Sequence, residues 1–226
     1  MASDLANFPR PSVAVDVAVV TVTESSELGV LVWRRTGDKA GEWALPGRLL
    51  RERERLADAV ERTLADKCGL PAAALAGRVP RQLHVFDDPD RDERGWVLSV
   101  AHLLVLPVER LELPLAGNRD LVVAPIRGDR VVLPGRQRRL PYGQDEIVAR
   151  AHDGLRRMYR DVPDPERFLD RDTFTLSELA DVHFAVLGKE NWAIDTFRRK
   201  MQRQLQETDE VVRGGPGRPA ALFRRA

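Results

Sequence analysis

Strand-like and helical segments follow one another in a fixed order over the first 134 residues, and this order leaves few folds open. Two apolar, β-branched runs, SVAVDVAVVTV and LGVLVWRR, are separated by TESSE, a polar stretch that is typical of a hairpin. Two further strand-like runs, RQLHVFD and WVLSVAHLLVLPV, come later. Between the pairs lies ERLADAVERTLADKCGL, whose apolar residues have helical spacing. Strands, a helix and more strands predict an α/β domain with a mixed sheet.

The chain becomes mainly helical after residue 142. The segment QDEIVARAHDGLRRMYRDV places four apolar residues on one helical stripe, namely Ile147, Ala151, Leu155 and Met158. We therefore predict two domains, residues 1–141 with the mixed sheet and residues 142–226 with mostly helices.

Composition excludes several classes of protein. The hydrophobic fraction of 43% is ordinary for a globular protein, and the longest apolar runs are too short to span a bilayer. The first residues lack the charged and apolar regions of a signal peptide. A single cysteine, Cys68, excludes an internal disulfide. We expect a cytoplasmic protein with no membrane partner.

The C-terminal part has the pattern of a winged helix-turn-helix domain of the α+β class. Thr175 followed by Glu178 is a capping box that opens one helix. After the short turn KEN comes a second helix, whose predicted buried face consists of Ile194, Phe197, Met201 and Leu205. The runs EVVRGG and GRPAALFRR surround a Gly/Pro turn and predict a β-wing.

Positive charge gathers at the C-terminal end although the whole chain carries only +1. Residues 189–226 contain nine Lys/Arg and five Asp/Glu, whereas residues 143–188 contain six and ten. Cations on one helix and one loop can neutralise DNA phosphates. Basic helices are also often only solvated faces, so this alternative stays open for the segment FRRKMQRQ. The residues predicted to contact DNA are Asn191, Trp192, Thr196, Arg198, Arg199, Lys200, Arg203, Arg213 and Arg218.

The helix between the strand pairs carries an incomplete motif. The segment GRLLRERERLADAVERTLADKCGL, after ALPG, resembles the Nudix box G-x5-E-x7-R-E-U-x-E-E-x-G-U, in which U is aliphatic. Glu54, Arg62 and Gly69 match this pattern. The positions that differ are Arg48 for glycine, Thr63 for glutamate, and Asp66 and Lys67 for the Glu-Glu pair.

The resemblance implies that carboxylates on this helix would hold Mg²⁺ or Mn²⁺ against a pyrophosphate. A hydroxyl at Thr63 and an ammonium at Lys67 are poor replacements for these ligands. We therefore predict no useful hydrolysis, no catalytic residue and no metal or cofactor requirement. The cleft could still bind a nucleotide, and the effector-binding candidates are Trp33, Arg48, Glu54, Arg62, Asp66, Lys67 and Phe86. Two alternatives stay open, an ion pair of Arg62 with a nearby glutamate and a core position for each aromatic residue.

A Nudix-like domain followed by a winged helix resembles the NrtR family of bacterial transcriptional regulators. The residues that carry the resemblance include WALPGRLL, DRDERGWVLSVAHLLV, TFTLSELADVHFAVLG, NWAIDTFRRKM and RGGPGRPAALFR. It implies an α/β/α sandwich of the Nudix type and a homodimeric, nucleoid-associated repressor of NAD-metabolism operons. Such a repressor binds an inverted-repeat operator in double-stranded DNA and is released by ADP-ribose or a related nucleotide.

Two other functions stay open from the sequence. One is an active Nudix pyrophosphohydrolase that uses Glu54 and Asp66 and carries the winged helix as an accessory domain. The other is a protein-interaction module, against which the basic helix face argues.

Overall fold

One mixed sheet forms the centre of the N-terminal part of the chain. The computed structural model describes residues 7–75, 77–188, 193–212 and 220–225. The sheet contains β1 (Ser12–Val22), β2 (Leu28–Arg34), β3 (Trp43–Ala44), β4 (Gly47–Leu49), β5 (Arg81–Phe86), β6 (Val97–Val105), β7 (Leu121–Arg127) and β8 (Arg130–Val131). The main strand order is β5-β6-β1-β2-β7-β8, with β4 beside β1 and β3 beside β2. Strand β1 runs parallel to β6 and antiparallel to β2, which confirms the predicted mixed sheet.

Strand β1 is mostly apolar because both of its faces are covered. Val15, Val17 and Val19 belong to the core cluster on the side of α1 (Leu56–Cys68). Ala18 and Val20 belong to the core cluster on the opposite face. The continuous run in the sequence thus marks the centre of the sheet.

Helix α1 has the amphipathic pattern that the sequence predicts. Ala59, Val60 and Leu64 are buried against the sheet. The helix ends at Gly69, whose φ of 64° is left-handed and whose N–H donates to the carbonyl of Ala65 at 3.2 Å. Glycine adopts this conformation without steric cost. A shorter helix, α2 (Glu112–Gly117), lies before β7.

Helix α3 (Gln144–Met158) packs on the face of the sheet opposite α1. Its buried residues Ile147, Ala151 and Leu155 join the core that contains Val20 of β1. The sheet therefore lies between helices, as in the α/β/α sandwich that the resemblance implies. The predicted domain boundary between residues 141 and 142 would separate α3 from this sheet. Because α3 packs on the sheet, we propose that the boundary lies after α3 instead.

The C-terminal part forms the expected winged helix. Its elements are β9 (Thr173–Thr175), α4 (Leu176–Leu187), α5 (Ile194–Gln202), β10 (Leu205–Val212) and β11 (Ala220–Arg225). The small sheet has the order β10-β11-β9. The capping box is present, since Thr175 Oγ1 accepts from the Glu178 N–H and Glu178 accepts from the Thr175 N–H at 2.7 Å. None of the described helices is long and apolar enough to cross a membrane.

The buried face of α5 is shorter than predicted. Phe197 and Met201 are fully buried in the core of the winged helix, but Ile194 is 38% exposed. The helix ends at Gln202, so that Leu205 lies in β10 and is only half-buried. A stripe in the sequence does not reveal where the helix ends.

A short connecting segment, residues 159–170, joins α3 to the winged helix, and we refer to it as the joint. Its centre is Asp164, which is fully buried. The carboxylate accepts from the Tyr159 hydroxyl at 2.7 Å, from the N–H groups of Phe168 and Leu169 at 2.9 and 3.0 Å, and from the Arg225 guanidinium at 2.6 Å. One side chain thus links the end of α3, the joint and the last strand.

His183 of α4 packs against the same centre. Its ring meets the rings of Tyr159 and Phe197 edge-on, with centroids 5.0 Å apart in both pairs. Its Nε2 accepts the N–H of Asp164 at 3.2 Å. Burial lowers the pKa of His183 to about 4, so the ring is neutral at pH 7 and can act as this acceptor.

Both domains hold the joint from outside. On the α/β side, Arg78 donates to the carbonyls of Glu166 and Arg167 at 2.7 and 2.8 Å, and Arg110 pairs with Asp170 at 2.8 Å. On the winged-helix side, Lys200 of α5 donates to the carbonyl of Arg160 at 3.0 Å and pairs with Asp161. Both domains therefore contact the same segment.

Candidate functional site: a basic cavity and an exposed helix

A cavity of about 270 Å³ opens where β1, β2 and β4 meet the C-terminal end of α1. Its charged lining is mostly positive, with the basic residues Arg35, Arg48, Lys67, Arg91 and Arg94 against the carboxylates Asp16 and Asp92. A pocket with this excess of cations favours an anionic ligand.

Gly47 allows the wall of the cavity to close. It pairs with Asp16 across β4 and β1. A Cβ at this position would lie only 2.8 Å from the carbonyl oxygen of Val15 and would also overlap the Asp16 carboxylate. The last residue of the ALPG sequence is therefore glycine because the two strands approach too closely for a side chain. The Asp16 carboxylate is held there by Ser99 at 2.5 Å and Gln144 at 2.7 Å.

Lys67 and Trp33 meet at the cavity. The Lys67 ammonium lies 3.8 Å from the centre of the Trp33 ring and donates to the carbonyl of Gly47. One face of Trp33 is thus occupied by a cation instead of being open for a base. Burial, followed by the charge of Arg48, lowers the pKa of Lys67 to about 8.

The two carboxylates that remain in the box, Glu54 and Asp66, form ion pairs. Arg62 donates to both carboxylate oxygens of Glu54 at 2.7 Å, and this bond is the main cause that lowers the pKa of Glu54 to about 2. The ion-pair alternative for Arg62 is therefore the one that the structure contains. Arg48 pairs with Asp66 at 2.9 Å.

The side chains at the box positions do not fit a divalent metal. The Thr63 hydroxyl is buried and donates to the Ala59 carbonyl of its own helix at 2.6 Å. The ammonium of Lys67 would repel a cation. Among the described residues, no three His, Cys, Asp or Glu side chains come close enough together to hold a metal ion. Magnesium requires several hard oxygen ligands in near-octahedral geometry.

The effector-binding candidates do not all meet at the cavity. Trp33, Arg48 and Lys67 line it, whereas Glu54, Arg62 and Asp66 are not among its lining residues. Phe86 is buried in the core beneath the sheet, where it packs edge-on against His84. Phe86 is the last residue of β5 and is buried, so the core alternative holds for this residue.

Tyr142 is the main site residue that the sequence did not reveal. Three cations surround its ring, with Arg94 Cζ at 4.5 Å, Arg35 Cζ at 5.0 Å and Lys39 Nζ at 5.4 Å from the centre. Its backbone is left-handed, with φ of 57°. The polar loop DPDRDERG, which supplies Arg91 and Arg94, was the only signal for this cluster in the sequence.

A second candidate surface is the outer face of α5. Thr196, Arg198 and Arg199 are exposed on it, and Arg203 is exposed directly after the helix. Lys200 instead contacts the joint through Asp161. Four further predicted DNA contacts lie outside the described residues: Asn191, Trp192, Arg213 and Arg218.

Comparison with known sequences agrees with this geometry. Residues 169–225 match the family model of the NrtR DNA-binding winged helix domain. The chain is 25% identical over 225 residues to the "ADPR responsive transcriptional repressor NtrR" of Acinetobacter baylyi, covering 97% of this chain and 84% of that protein. It is also 33% identical over 97 residues to the ADP-ribose pyrophosphatase of Methanocaldococcus jannaschii, which covers 43% of this chain and 52% of that enzyme.

Solved structures of NrtR are also similar to this chain, over most of its length. The chain is similar to Shewanella oneidensis NrtR complexed with a 27mer DNA, with 26% identity, coverage of 95% of this chain and 93% of that chain, and a TM-score of 0.73. The NUDIX domain of the same protein, complexed with ADP ribose, is 24% identical with a TM-score of 0.53, covers 68% of this chain and 94% of that chain, and shows the fold alone. With a Nudix fold followed by a winged helix, the chain is similar to NrtR along nearly its full length, and its residues 169–225 match the DNA-binding domain of that family.

Proposed function

We propose that this chain is a transcriptional repressor that binds operator DNA through its winged helix and senses ADP-ribose or a related nucleotide in its Nudix cavity. The observation that carries the proposal is the exposed face of α5, with Thr196, Arg198 and Arg199, on a winged helix that matches a DNA-binding family. The names of the relatives support it, since one is an ADPR-responsive repressor and another was solved with DNA.

The proposed mode of DNA binding follows from the shape of a helix-turn-helix. In a homodimer, two α5 helices would enter successive major grooves of an inverted repeat. Thr196, Arg199 and Arg203 would contact bases or phosphates, and Arg198 would hold the backbone. Asn191 and Trp192 before α5 would add backbone contacts, and Arg213 and Arg218 of the wing would reach phosphates or the minor groove. Lys200 is left out of this set because its ammonium contacts the joint.

The proposed effector site is the basic cavity. Its five cations and two carboxylates suit a pyrophosphate, the group that ADP-ribose offers. A ligand can release DNA only if it binds one arrangement of the two winged helices more tightly than the other. Because both domains hold the joint, we propose that it transmits this preference. From the resemblance to NrtR regulators, we propose that the regulated genes are those of NAD metabolism.

We further propose that the cavity does not hydrolyse its ligand. Metal-assisted hydrolysis needs an ion to activate water and to neutralise the phosphate charge. The carboxylates of Glu54 and Asp66 are paired with Arg62 and Arg48. The archaeal pyrophosphatase relative favours the other candidate function, an active hydrolase with an accessory winged helix. Incubation with ADP-ribose and Mg²⁺ or Mn²⁺ separates the two, because turnover of about 1 per second would establish an enzyme.

A gel shift tests the regulator directly. The probe is DNA from upstream of the gene for this protein and of its neighbours, and ADP-ribose is titrated into the bound complex. We expect a retarded band that weakens steeply with salt, because phosphate contacts release counterions, and that disappears as ADP-ribose is added. Absence of a specific band would contradict DNA recognition. A band that persists at saturating ADP-ribose would contradict the effector assignment alone.

A further inference from the structure

The cavity contains positive charge that its own carboxylates do not neutralise. Arg94 is paired with Asp92 at 2.7 Å, and Arg48 is paired with Asp66 at 2.9 Å. Lys67, in contrast, has no carboxylate partner among the described residues and bonds to the carbonyl of Gly47. The uncompensated cation therefore stands at the position where the Nudix box has a metal-binding glutamate.

We infer that the ammonium of Lys67 replaces the divalent cation, so that the cavity binds the diphosphate group of a nucleotide without any metal. This inference rests on the proposed function, and it concerns how the same cavity holds its ligand. An ammonium has three donors, of which the Gly47 carbonyl takes one. The Trp33 ring, whose centre lies 3.8 Å from Nζ, stabilises the charge without using a donor.

Two buried polar atoms at the same cavity also lack a partner. Within the part of the chain that the structure describes, Arg48 Nε and the Tyr142 hydroxyl are shielded from solvent and form no hydrogen bond. Both residues line the cavity together with Lys67. A buried donor without a partner costs about 1–3 kcal/mol, which an oxygen of a bound ligand would recover. Phosphate oxygens suit this set because every one of these groups can donate.

The same geometry disfavours a metal-bridged complex. An ion at the box would lie next to the Lys67 ammonium, and the Thr63 hydroxyl donates to Ala59 within its own helix. The remaining box carboxylates are already bound to guanidinium groups. A diphosphate that entered with Mg²⁺ would therefore bring a further cation into a cavity that is already positive.

The charge of Lys67 sets the expected pH dependence. Burial holds its pKa at about 8, so the ammonium is present at pH 7 and mostly lost at pH 9. Only the protonated form donates and attracts phosphate. The apparent affinity for a diphosphate should therefore fall by up to about tenfold between pH 7 and pH 9. A bound anion would raise the pKa of Lys67 in the complex, so the affinity would begin to fall near pH 8, the pKa in the free protein, and would level off at the higher pKa of the complex.

Calorimetric titration of the full chain tests the inference, with ADP-ribose and inorganic pyrophosphate as probes, each in EDTA and in Mg²⁺. We expect dissociation constants in EDTA that are no higher than those in Mg²⁺, because Mg²⁺ competes with the cavity for the phosphate oxygens. Lys67→Met keeps an unbranched side chain of similar length but removes the charge, so it should weaken the binding of both ligands by about 10- to 100-fold. Lys67→Arg should retain most of the affinity. Arg127→Met, on the exposed side of β7, is the matched control and should bind like the parent.

The outcomes separate this inference from the proposed function. Binding that requires Mg²⁺, or an unchanged affinity in a folded Lys67→Met variant, overturns the inference but leaves a sensing cavity in place. Absence of binding in both buffers overturns the inference and the effector assignment together, while the gel shift still reports DNA binding. If Lys67→Met does not fold, the comparison of EDTA with Mg²⁺ on the parent chain decides alone.

Discussion

Arg199→Glu should abolish specific binding of operator DNA, with a loss of at least about 100-fold in affinity. Arg199 is exposed in the middle of α5, on the face opposite Phe197 and Met201, which fill the core. The change removes one cation and adds one anion next to the phosphates. In a homodimer, the repulsion occurs twice on each operator. Because the side chain makes no core contact, the fold should persist.

Fluorescence anisotropy with a labelled operator measures this loss, and thermal unfolding checks that the variant is folded. Arg127→Glu makes the same change of charge on β7, where the side chain is 69% exposed and lies against Glu27. It should bind DNA almost normally. Parent-like affinity in Arg199→Glu would remove α5 from the role of recognition helix and favour the interpretation of its basic face as a solvated surface.

Asp164→Ala should lower the free energy of unfolding by about 3–5 kcal/mol, the effect expected when one partner of a buried ion pair is removed. The Arg225 guanidinium and the N–H groups of Phe168 and Leu169 would lose their acceptor at once. The backbone of Asp164 has φ of 43°, which alanine adopts with additional strain of about 1 kcal/mol. Loss of the Asp164 carboxylate should therefore loosen the joint in which the two domains meet.

Urea unfolding at pH 7 provides the measurement. Asp164→Asn keeps the shape and one acceptor oxygen, so it should lose less, about 1–3 kcal/mol. The matched control is Asp161→Ala, which removes an exposed carboxylate of the same joint from its pair with Lys200 and should cost no more than about 1 kcal/mol. Equal unfolding midpoints for Asp164→Ala and Asp161→Ala would show that Asp164 does not organise the joint.

Local features of the fold could be predicted well because they depend on residues that are close in sequence. The apolar run of β1, the capping box at Thr175 and the end of α1 at Gly69 are of this kind. The surface that α3 covers was not predictable, because an apolar stripe does not identify its partner. The structure of the joint was not predictable, since Asp164 is organised by His183 and Arg225, which lie far along the chain.

The candidate site was predictable to a similar degree. Alignment with the box identified Lys67 and Thr63 as departures, and their contacts explain why these positions do not suit a metal. The cluster of Arg35, Arg94 and Tyr142 was missed because its members come from the end of β2, a loop before β6 and the turn before α3. Only the folded sheet brings these three regions together.

Helix α4 belongs to two cores at the same time. Leu179 and Ala180 fill the interior of the winged helix, whereas Val182, Val186 and Leu187 complete the large sheet. The winged helix is therefore packed against the α/β domain through α4, so it is not free to rotate on a flexible linker. We expect a signal from the cavity to reach the winged helix as a shift or rotation of α4, because this helix packs in both cores. Expressed without the α/β domain, the winged helix would expose these three apolar side chains to water, and we expect it to aggregate.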